Sequence, residues 1–474
     1  MNYPIKIFAF DNSYARLPEG FYHKLLPAKA QAPKLIAFNA KLAKELGVDF
    51  EEVSNEQIAG IFSGNIIPDG AEPLAMAYAG HQFGHFVPRL GDGRAILLGE
   101  VIDKKGVRRD IQLKGSGLTP FSRSADGKAA IGPVIREYIV SEAMHALGIK
   151  TTRSLAAVAT GEPVYRETVL PGAVLTRIAA SHVRIGTFEY FAARRDYEAV
   201  KTLADHVITR YYPKANDASN PYSALLESLI DAQAKLVATW MCVGFIHGVM
   251  NTDNMSISGE TIDYGPCAFM DEYNPLTVFS SIDIYGRYAF ARQPQIAQWN
   301  LARFAETLLT FIEVEEAEKL VVSFQPRFQQ YWLTGMRRKI GLFTQEDGDS
   351  LLIENLLKEM HDNGLDHTNS FRSLSDGSDI KISKQWQENW RDKLKRQTQP
   401  FGESLELMRS VNPVYIPRNH LVQQAISASE NGNYRVMEEL MGVLQNPYER
   451  GEGLEQYEKP PLDSQRVLRT FCGT

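Results

Sequence analysis

The stretch His247-Gly248-Val249-Met250-Asn251-Thr252-Asp253-Asn254, with Asp263-Tyr264-Gly265 nine residues beyond it, carries the chemistry most open to reading in this chain. Asn254 and Asp263 offer neutral and charged oxygens, the donor types that suit a hard divalent cation held against phosphates. Asp253 is the carboxylate of the loop that could take a proton from an attacking hydroxyl. A chance His and Asn in a loop, followed by a chance Asp-Tyr-Gly turn, is the bland alternative. Their order, with a helical pattern before the loop and a small turn after it, makes that alternative the weaker one.

Protein kinases use a catalytic loop H-R-D-x-x-x-x-N and then D-F-G, in which the Asn and the second Asp hold metal ions. His247, Asn254 and Asp263 fit that spacing. Val249 occupies the position of the catalytic Asp and can accept no proton. A small lobe of the same kind needs a glycine-rich turn, a strand lysine and a helix glutamate. Gly91-Asp92-Gly93-Arg94 precedes one apolar run, Lys114 ends the next, and the following helix offers Glu137 and Glu142. Gly-x-Gly is often only a tight turn, and Gly115-Ser116-Gly117 reads equally as phosphate cradle or plain turn. No Walker A competes, because Ala129 follows Gly127-Lys128 and Ser122 stands at the upstream glycine position.

These residues need elements to position them. Ala95–Leu98 and Asp110–Leu113 flank the charged turn Asp103-Lys104-Lys105-Gly106 and predict an antiparallel pair. A helix is predicted from Pro133 to about Leu147, ended by Gly148. Ser223 is read as the cap of a second helix, with Leu225, Leu226, Leu229, Ile230, Leu236, Val237, Trp240 and Met241 at helical period and Gly248 past its end. Met255–Ile257 and Thr261–Ile262 predict two small strands across a turn. Leu301 to Val314 and Val436 to Leu444 read as helices. Loops are expected at Tyr212–Ser223, Asp366–Lys381 and Asn446–Ser464. Strands early and helices late imply an α+β chain with two lobes.

The chain has 474 residues, 44% of them hydrophobic and 23% charged, which excludes a disordered chain or a fibre. Lys plus Arg number 51 against 57 Asp plus Glu, a net charge of -6, so no nucleic-acid backbone binder is expected. The N-terminus shows no secretory pattern, and the apolar stretch Val237–Met250 is too short to span a bilayer, so no membrane partner is expected. Three cysteines cannot build a disulfide framework, which makes a reducing, cytoplasmic compartment the default.

Several blocks resemble the selenoprotein O family, called YdiU in bacteria. They include Tyr78–Gly84, Leu90–Ala95, Leu97–Glu100, Gln112–Gly117, Ile135–Tyr138, Val174–Arg177, Ser181–Phe188 and Asn251–Gly265. They continue through Asn412-Pro413, Pro417–His420 and the terminal Cys472, so the resemblance covers nearly the whole chain. It implies a protein-kinase-like two-lobed fold with N-terminal and C-terminal extensions. It also implies ATP bound in a flipped orientation and transfer of AMP to hydroxyls of protein substrates, with Mg²⁺ or Mn²⁺, and UMP from UTP as a further option. By the same resemblance Lys114 contacts phosphates and pairs with Glu137, Asn254 and Asp263 hold the metal, and Asp253 is the base. Gly91, Gly93, Arg94, Asp126, Gly127, Arg177 and Arg184 match nucleotide-contacting positions. The expected divisions are 1–75 for the N-terminal extension, 76–180 for the small lobe, 181–400 for the large lobe and 401–474 for a C-terminal extension. An ordinary kinase and a silent nucleotide-binding pseudokinase are the rivals.

Cys267 lies four residues after Asp263, where kinases place a mobile activation loop, and Cys472 lies in the terminal tail. The two are candidates for a redox pair; two unpaired thiols is the equal alternative. His81 and His85 have zinc-helix spacing, but Gly84 and Pro88 and the absence of an H-E-x-x-H glutamate favour a structural role. Cys242 reads as a buried thiol. Trp386 and Trp390 read as the apolar side of an amphipathic helix.

Overall fold

The computed structural model describes residues 7–378 and 380–471. Its strands are β1 (Tyr22–Lys24), β2 (Lys34–Phe38), β3 (Leu74–Met76), β4 (Gly80–Gln82), β5 (His85–Val87), β6 (Ala95–Ile102), β7 (Arg108–Lys114), β8 (Ala129–Ala130), β9 (Arg153–Tyr165), β10 (Val169–Ala179), β11 (Phe245–Ile246) and β12 (Ala268–Phe269). One antiparallel sheet runs in the order β1-β3-β6-β7-β10-β9-β2, with β8 beside β10. The expected pair around the Asp103–Gly106 turn is β6 with β7. Residues 1–75 contribute both edge strands of this sheet, and the expected 75/76 division falls inside β3.

Alternation along β7 and β10 sorts the side chains by face. Ile111, Leu113, Val174 and Ile178 pack with α1 (Ala40–Glu45) and α2 (Asn55–Phe62) on one side. On the other, Gln112 and Lys114 stand across from Arg177 and Leu175. That second face is covered by α3 (Ile131–Ala146), through Ile131, Ile135 and Ile139 against Ala157, Ala173 and Leu175. Pro133, the expected start, is the third residue of α3, so the helix begins two residues earlier, and Gly148 follows its end with φ of 77°.

Helices dominate the rest: α4 (Ile185–Ala192), α5 (Tyr197–Tyr211), α6 (Pro221–Val243), α7 (Gln293–Thr307), α8 (Val314–Val322), α9 (Phe324–Lys339), α10 (Asp349–Asp362), α11 (His367–Ser375), α12 (Lys384–Arg396), α13 (Phe401–Val411), α14 (Asn419–Glu430) and α15 (Arg435–Leu444). Helix α6 is capped by Asn220, whose side chain accepts from Tyr222 N and Ser223 N, and it ends at left-handed Gly244. It thus starts ahead of Ser223, with Pro221 at its first position, and stops ahead of Gly248, where Gly244 takes the left-handed conformation. The expected loop Asp366–Lys381 contains α11, which Asp366 caps through Asn369 N. Trp386 and Trp390 of α12 are buried, stacked at 5.7 Å, and donate to carbonyls of Leu352 and Ile340. No helix among the described residues is long and apolar enough to cross a membrane.

Candidate functional site

Three cations converge on one carboxylate. Lys114 Nζ, at the end of β7, lies 2.6 Å from Glu137 Oε2 of α3 and 3.0 Å from Asp263 Oδ1. Arg177 Nη1, from β10, lies 3.1 Å from Glu137 Oε1 and 2.6 Å from Asp263 Oδ1, and Gln112 holds its Nη2 at 2.6 Å. Arg184, the residue just before α4, closes on Asp263 Oδ2 and donates to the carbonyl of Asp253 at 2.5 Å. Burial alone would raise the Asp263 carboxyl; the charges of Arg184, Lys114 and Arg177 outweigh it and hold the group well below the usual range. Burial works against Glu137 likewise, and Lys114 and Arg177 lower it. Asp263 keeps this position with φ of 64°, a left-handed conformation that few non-glycine residues adopt.

The catalytic-loop candidate is pinned at several points. His247 Nε2 lies 2.9 Å from the carbonyl of Ile262, tying the loop to the segment that carries Asp263. Asn254 Nδ2 donates to the carbonyl of Val249 at 3.1 Å, so Val249 has a backbone role here. Asn251 Oδ1 accepts from Phe83 N and from the Tyr288 hydroxyl. Thr252 accepts from His81 N at 2.7 Å and donates to Glu189, whose other oxygen meets His81 Nδ1. His81 and His85 are thus on a two-stranded ribbon, β4 with β5, and His81 is a tie to the loop.

Asp253 differs from every other acid in the cavity. Its Oδ1 is buried with no hydrogen-bond partner, and its Oδ2 receives only a 3.4 Å contact from Gln82 Nε2. Burial pushes its carboxyl up to about 7, with Arg184 offsetting part of the rise. Glycine is required beside it: a Cβ on Gly80 would lie 2.5 Å from Asp253 Oδ1.

One cavity of about 630 Å³ is lined by Gly91, Gly93, Arg94, Lys114, Asp126, Gly127, Glu137, Arg177, Arg184, Asp253, Asn254 and Asp263. Every residue expected for base, nucleotide, metal or ion-pair duty therefore reaches the same space. Asp126 is gripped by Arg166 at 2.8 and 3.0 Å. Gly127 has φ of 70°, and a Cβ there would strike the Gly117 carbonyl at 2.2 Å. The Gly117 N–H is in turn bonded to the Gly127 carbonyl, which makes Gly115–Gly117 part of a closed turn. The cavity's oxygen donors Asn254 and Asp263 fit a hard cation. No group of three or more His, Cys, Asp or Glu side chains arranged for a metal occurs among the described residues, so phosphate oxygens would have to complete such a site.

A family model described as protein adenylyltransferase SelO matches residues 4–445. The chain belongs to the SelO family. It is similar to the protein nucleotidyltransferase YdiU of Rhizobium etli (strain CIAT 652), 56% identical over 494 aligned positions that cover 100% of this chain and 99% of that protein. The YdiU proteins of Rhizobium meliloti (strain 1021) and Bradyrhizobium diazoefficiens are 57% and 56% identical, each covering 98% of this chain and 99% of its own length.

Some parts of this SelO-family site escaped the sequence reading. Asp92, between the two turn glycines, is buried and pushed up to about 6 by burial; it accepts from Met76 N and Gln112 Nε2 and anchors the turn to β3 and β7. Tyr78 lies under the Arg184 guanidinium at 4.7 Å. The period-two position of Gln112 before Lys114 was the available signal for its facing the site. For Asp92 and Tyr78 no local signal exists.

Two expectations need correction. Met255–Ile257 and Thr261–Ile262 do not pair with each other: Ser256 bridges Arg184 and Thr261 bridges Thr151, because the sheet and α4 offer them longer-range partners. Cys267 is not on a surface loop but fully buried in the large core, just before β12. Cys472 lies outside the described residues. The chain two residues before it is fixed nearby, Thr470 Oγ1 donating to the Pro266 carbonyl at 2.5 Å and Thr470 N to the Phe279 carbonyl.

Proposed function

We infer that this chain is a protein nucleotidyltransferase that moves AMP from ATP onto Ser, Thr or Tyr hydroxyls of protein substrates, with UMP from UTP as an alternative cargo. The observation that carries the reading is the convergence of Lys114, Arg177 and Arg184 on one carboxylate, in the same cavity as Asp253 with its unbonded Oδ1. Attack at the α-phosphorus expels pyrophosphate, so negative charge grows on both the transferred and the leaving group. Guanidinium forks and an ammonium suit that charge. Asp263 stands where phosphate oxygens would compete for the same donors.

In this reading Asp253 takes the proton of the acceptor hydroxyl, filling the role that Val249 cannot. Asn254 and Asp263 hold Mg²⁺ or Mn²⁺, which when bound supplies positive charge against the polyphosphate. The turns at Gly91–Gly93 and Asp126–Gly127 let the backbone approach the nucleotide, and Arg94 flanks it. Residues 76–180 and 181–400 act as the small and large lobes of a protein-kinase-like fold. What supports this is the chain order of glycine turn, strand lysine, helix glutamate, loop and Asp-Tyr-Gly. Mass spectrometry of an acceptor incubated with ATP and each metal tests the function. Addition of AMP is expected; addition of phosphate would favour a kinase, and no addition a silent nucleotide binder.

The Thr470 contacts with Pro266 and Phe279 favour a second reading, that Cys267 and Cys472 form a redox pair. Linking them would tie the tail to the segment behind Asp263. Peptide mapping after oxidation should yield a Cys267–Cys472 linked peptide, and reductant should change the activity of the wild type but not of Cys472→Ala.

A further inference from the structure

The β4–β5 ribbon, whose Gln82 and Phe83 line the cavity, has beside it a guanidinium without an acidic partner among the described residues. Strands β4 and β5 are joined by Phe83 and Gly84, both with positive φ, and this tip hangs over the Asp253 loop through Gln82 and the bond from Phe83 N to Asn251. Arg287 lies against the tip, its Cζ 3.6 Å from where a Gly84 Cβ would stand. Its guanidinium is held 4.9 Å from the centre of the Trp299 ring, an indole that itself meets His81 edge-on. That packing fixes the guanidinium without neutralising it.

Arg287 makes no ion pair among the described residues, and its Nε is buried without a hydrogen-bond partner. Asp283, four residues before it, accepts from the backbone N–H groups of Arg287 and Tyr288 at 2.8 and 2.7 Å and not from the guanidinium. Arg303, at the same distance from Trp299, differs in having Glu306 at 2.6 Å. Three further guanidiniums, one tied to the Arg287 segment and two to the chain that leaves β5, also lack an acid. Arg292 donates to the Gly286 carbonyl, Arg194 to the Pro88 carbonyl and Arg89 to the Pro120 carbonyl, and none of the three has a carboxylate partner among the described residues. In a chain of net charge -6 this local excess is complementary to an acidic partner from outside. The partner is not the nucleotide polyphosphate, since Lys114, Arg177 and Arg184 line the cavity and Arg287 does not.

We propose that Arg287, stacked on Trp299 at the tip of the β4–β5 ribbon, pairs with an acidic side chain of the acceptor protein close to its target hydroxyl, and so selects acceptors with acidic flanks. The inference rests on the nucleotidyl-transfer reading above, because it is that reaction which brings an acceptor polypeptide to Asp253. Pairing of guanidinium with carboxylate is directional, which makes Arg287 a specificity-determining residue and the other arginines contributors to a general attraction.

The test uses the full-length protein and three acceptor peptides that share one hydroxyl and differ only in having Glu, Gln or Lys beside it, with ATP labelled at the α-phosphate. The wild type should favour the Glu peptide over the Gln peptide by about tenfold in kcat/KM, mainly through KM. That preference should shrink as salt is raised. Arg287→Gln should erase the difference, Arg287→Lys should keep part of it, and Arg287→Glu should turn the preference toward the Lys peptide, a gain that misfolding cannot produce. Calorimetry of ATP binding checks each variant's fold. A wild type indifferent to the flanking residue, or a preference for Glu that survives Arg287→Gln, overturns the proposal while leaving AMP transfer intact. No α-label in any peptide with the wild type overturns the reading of the reaction and this proposal with it.

Discussion

Asp253 is a buried carboxylate with one oxygen unbonded, an arrangement that costs stability in the resting protein and makes sense where a proton must be taken. Asp253→Ala should therefore lower transfer by about 10²–10⁴-fold, while ATP binding survives and the unfolding temperature stays level or rises. Parallel calorimetry, transfer assay and thermal melt decide it; loss of ATP binding would instead make Asp253 a metal or structural residue. Asp263→Ala should differ in its effect on stability. It removes the acceptor shared by Lys114, Arg177 and Arg184, leaving Glu137 as the remaining acid against buried cations. We expect loss of transfer together with a destabilisation of about 3 kcal/mol in urea unfolding. Equal stability with near-native transfer would remove Asp263 from the site. Lys114→Met should spare Glu137, which Arg177 still holds, and yet lose transfer.

The β4–β5 ribbon, invisible as an element in the sequence, is what presses on the Asp253 loop. Gly80→Ala would drive a methyl toward Asp253 Oδ1, so kcat should fall more than ATP affinity, read by steady-state kinetics beside calorimetry. Legibility followed the range of the interactions. The β6–β7 pair and α3 were readable because a charged turn, a Pro and a Gly punctuate them locally. The order of strand lysine and helix acid left Glu137 and Glu142 open as partners of Lys114, and it was the family resemblance that pointed to Glu137, the acid that pairs with it. By contrast, Ser256 and Thr261 find partners at Arg184 and Thr151, and β1 and β2 join the sheet edges, through tertiary pairing that no local pattern announces. Helix α5 carries a pH-sensitive group of its own. Burial pushes the His206 imidazole down to about 4, with Arg210 adding to the effect. His206 is therefore neutral in the fold and takes up a proton near pH 6.5 when unfolded. Its contribution to stability is full above pH 6.5 and is lost as pH falls toward 4, about 2 kcal/mol by pH 4.5. Denaturant titrations at pH 7 and 4.5 should show that loss in the wild type and a smaller one in His206→Gln.

At the scale of the whole molecule, the C-terminal helices brace the helix that carries Glu137. Val422, Ile426, Met437 and Leu440 of α14 and α15 share a core with Ile135 and Ile139 of α3, and Arg136 donates to Asn419 Oδ1 at 2.9 Å. Leu440→Ala, some distance along the chain from any site residue, should cost about 2–5 kcal/mol in urea unfolding and weaken ATP binding by loosening α3. Unchanged binding in that variant would separate the brace from the site. The phosphorus that is attacked distinguishes AMP transfer from phosphoryl transfer. Incubation of the protein and an acceptor with ATP labelled at the α-phosphate, and separately at the γ-phosphate, reads this directly. The account predicts α-label fixed in the acceptor, γ-label released as pyrophosphate, and neither outcome with Asp253→Ala; γ-label fixed in the acceptor would contradict it.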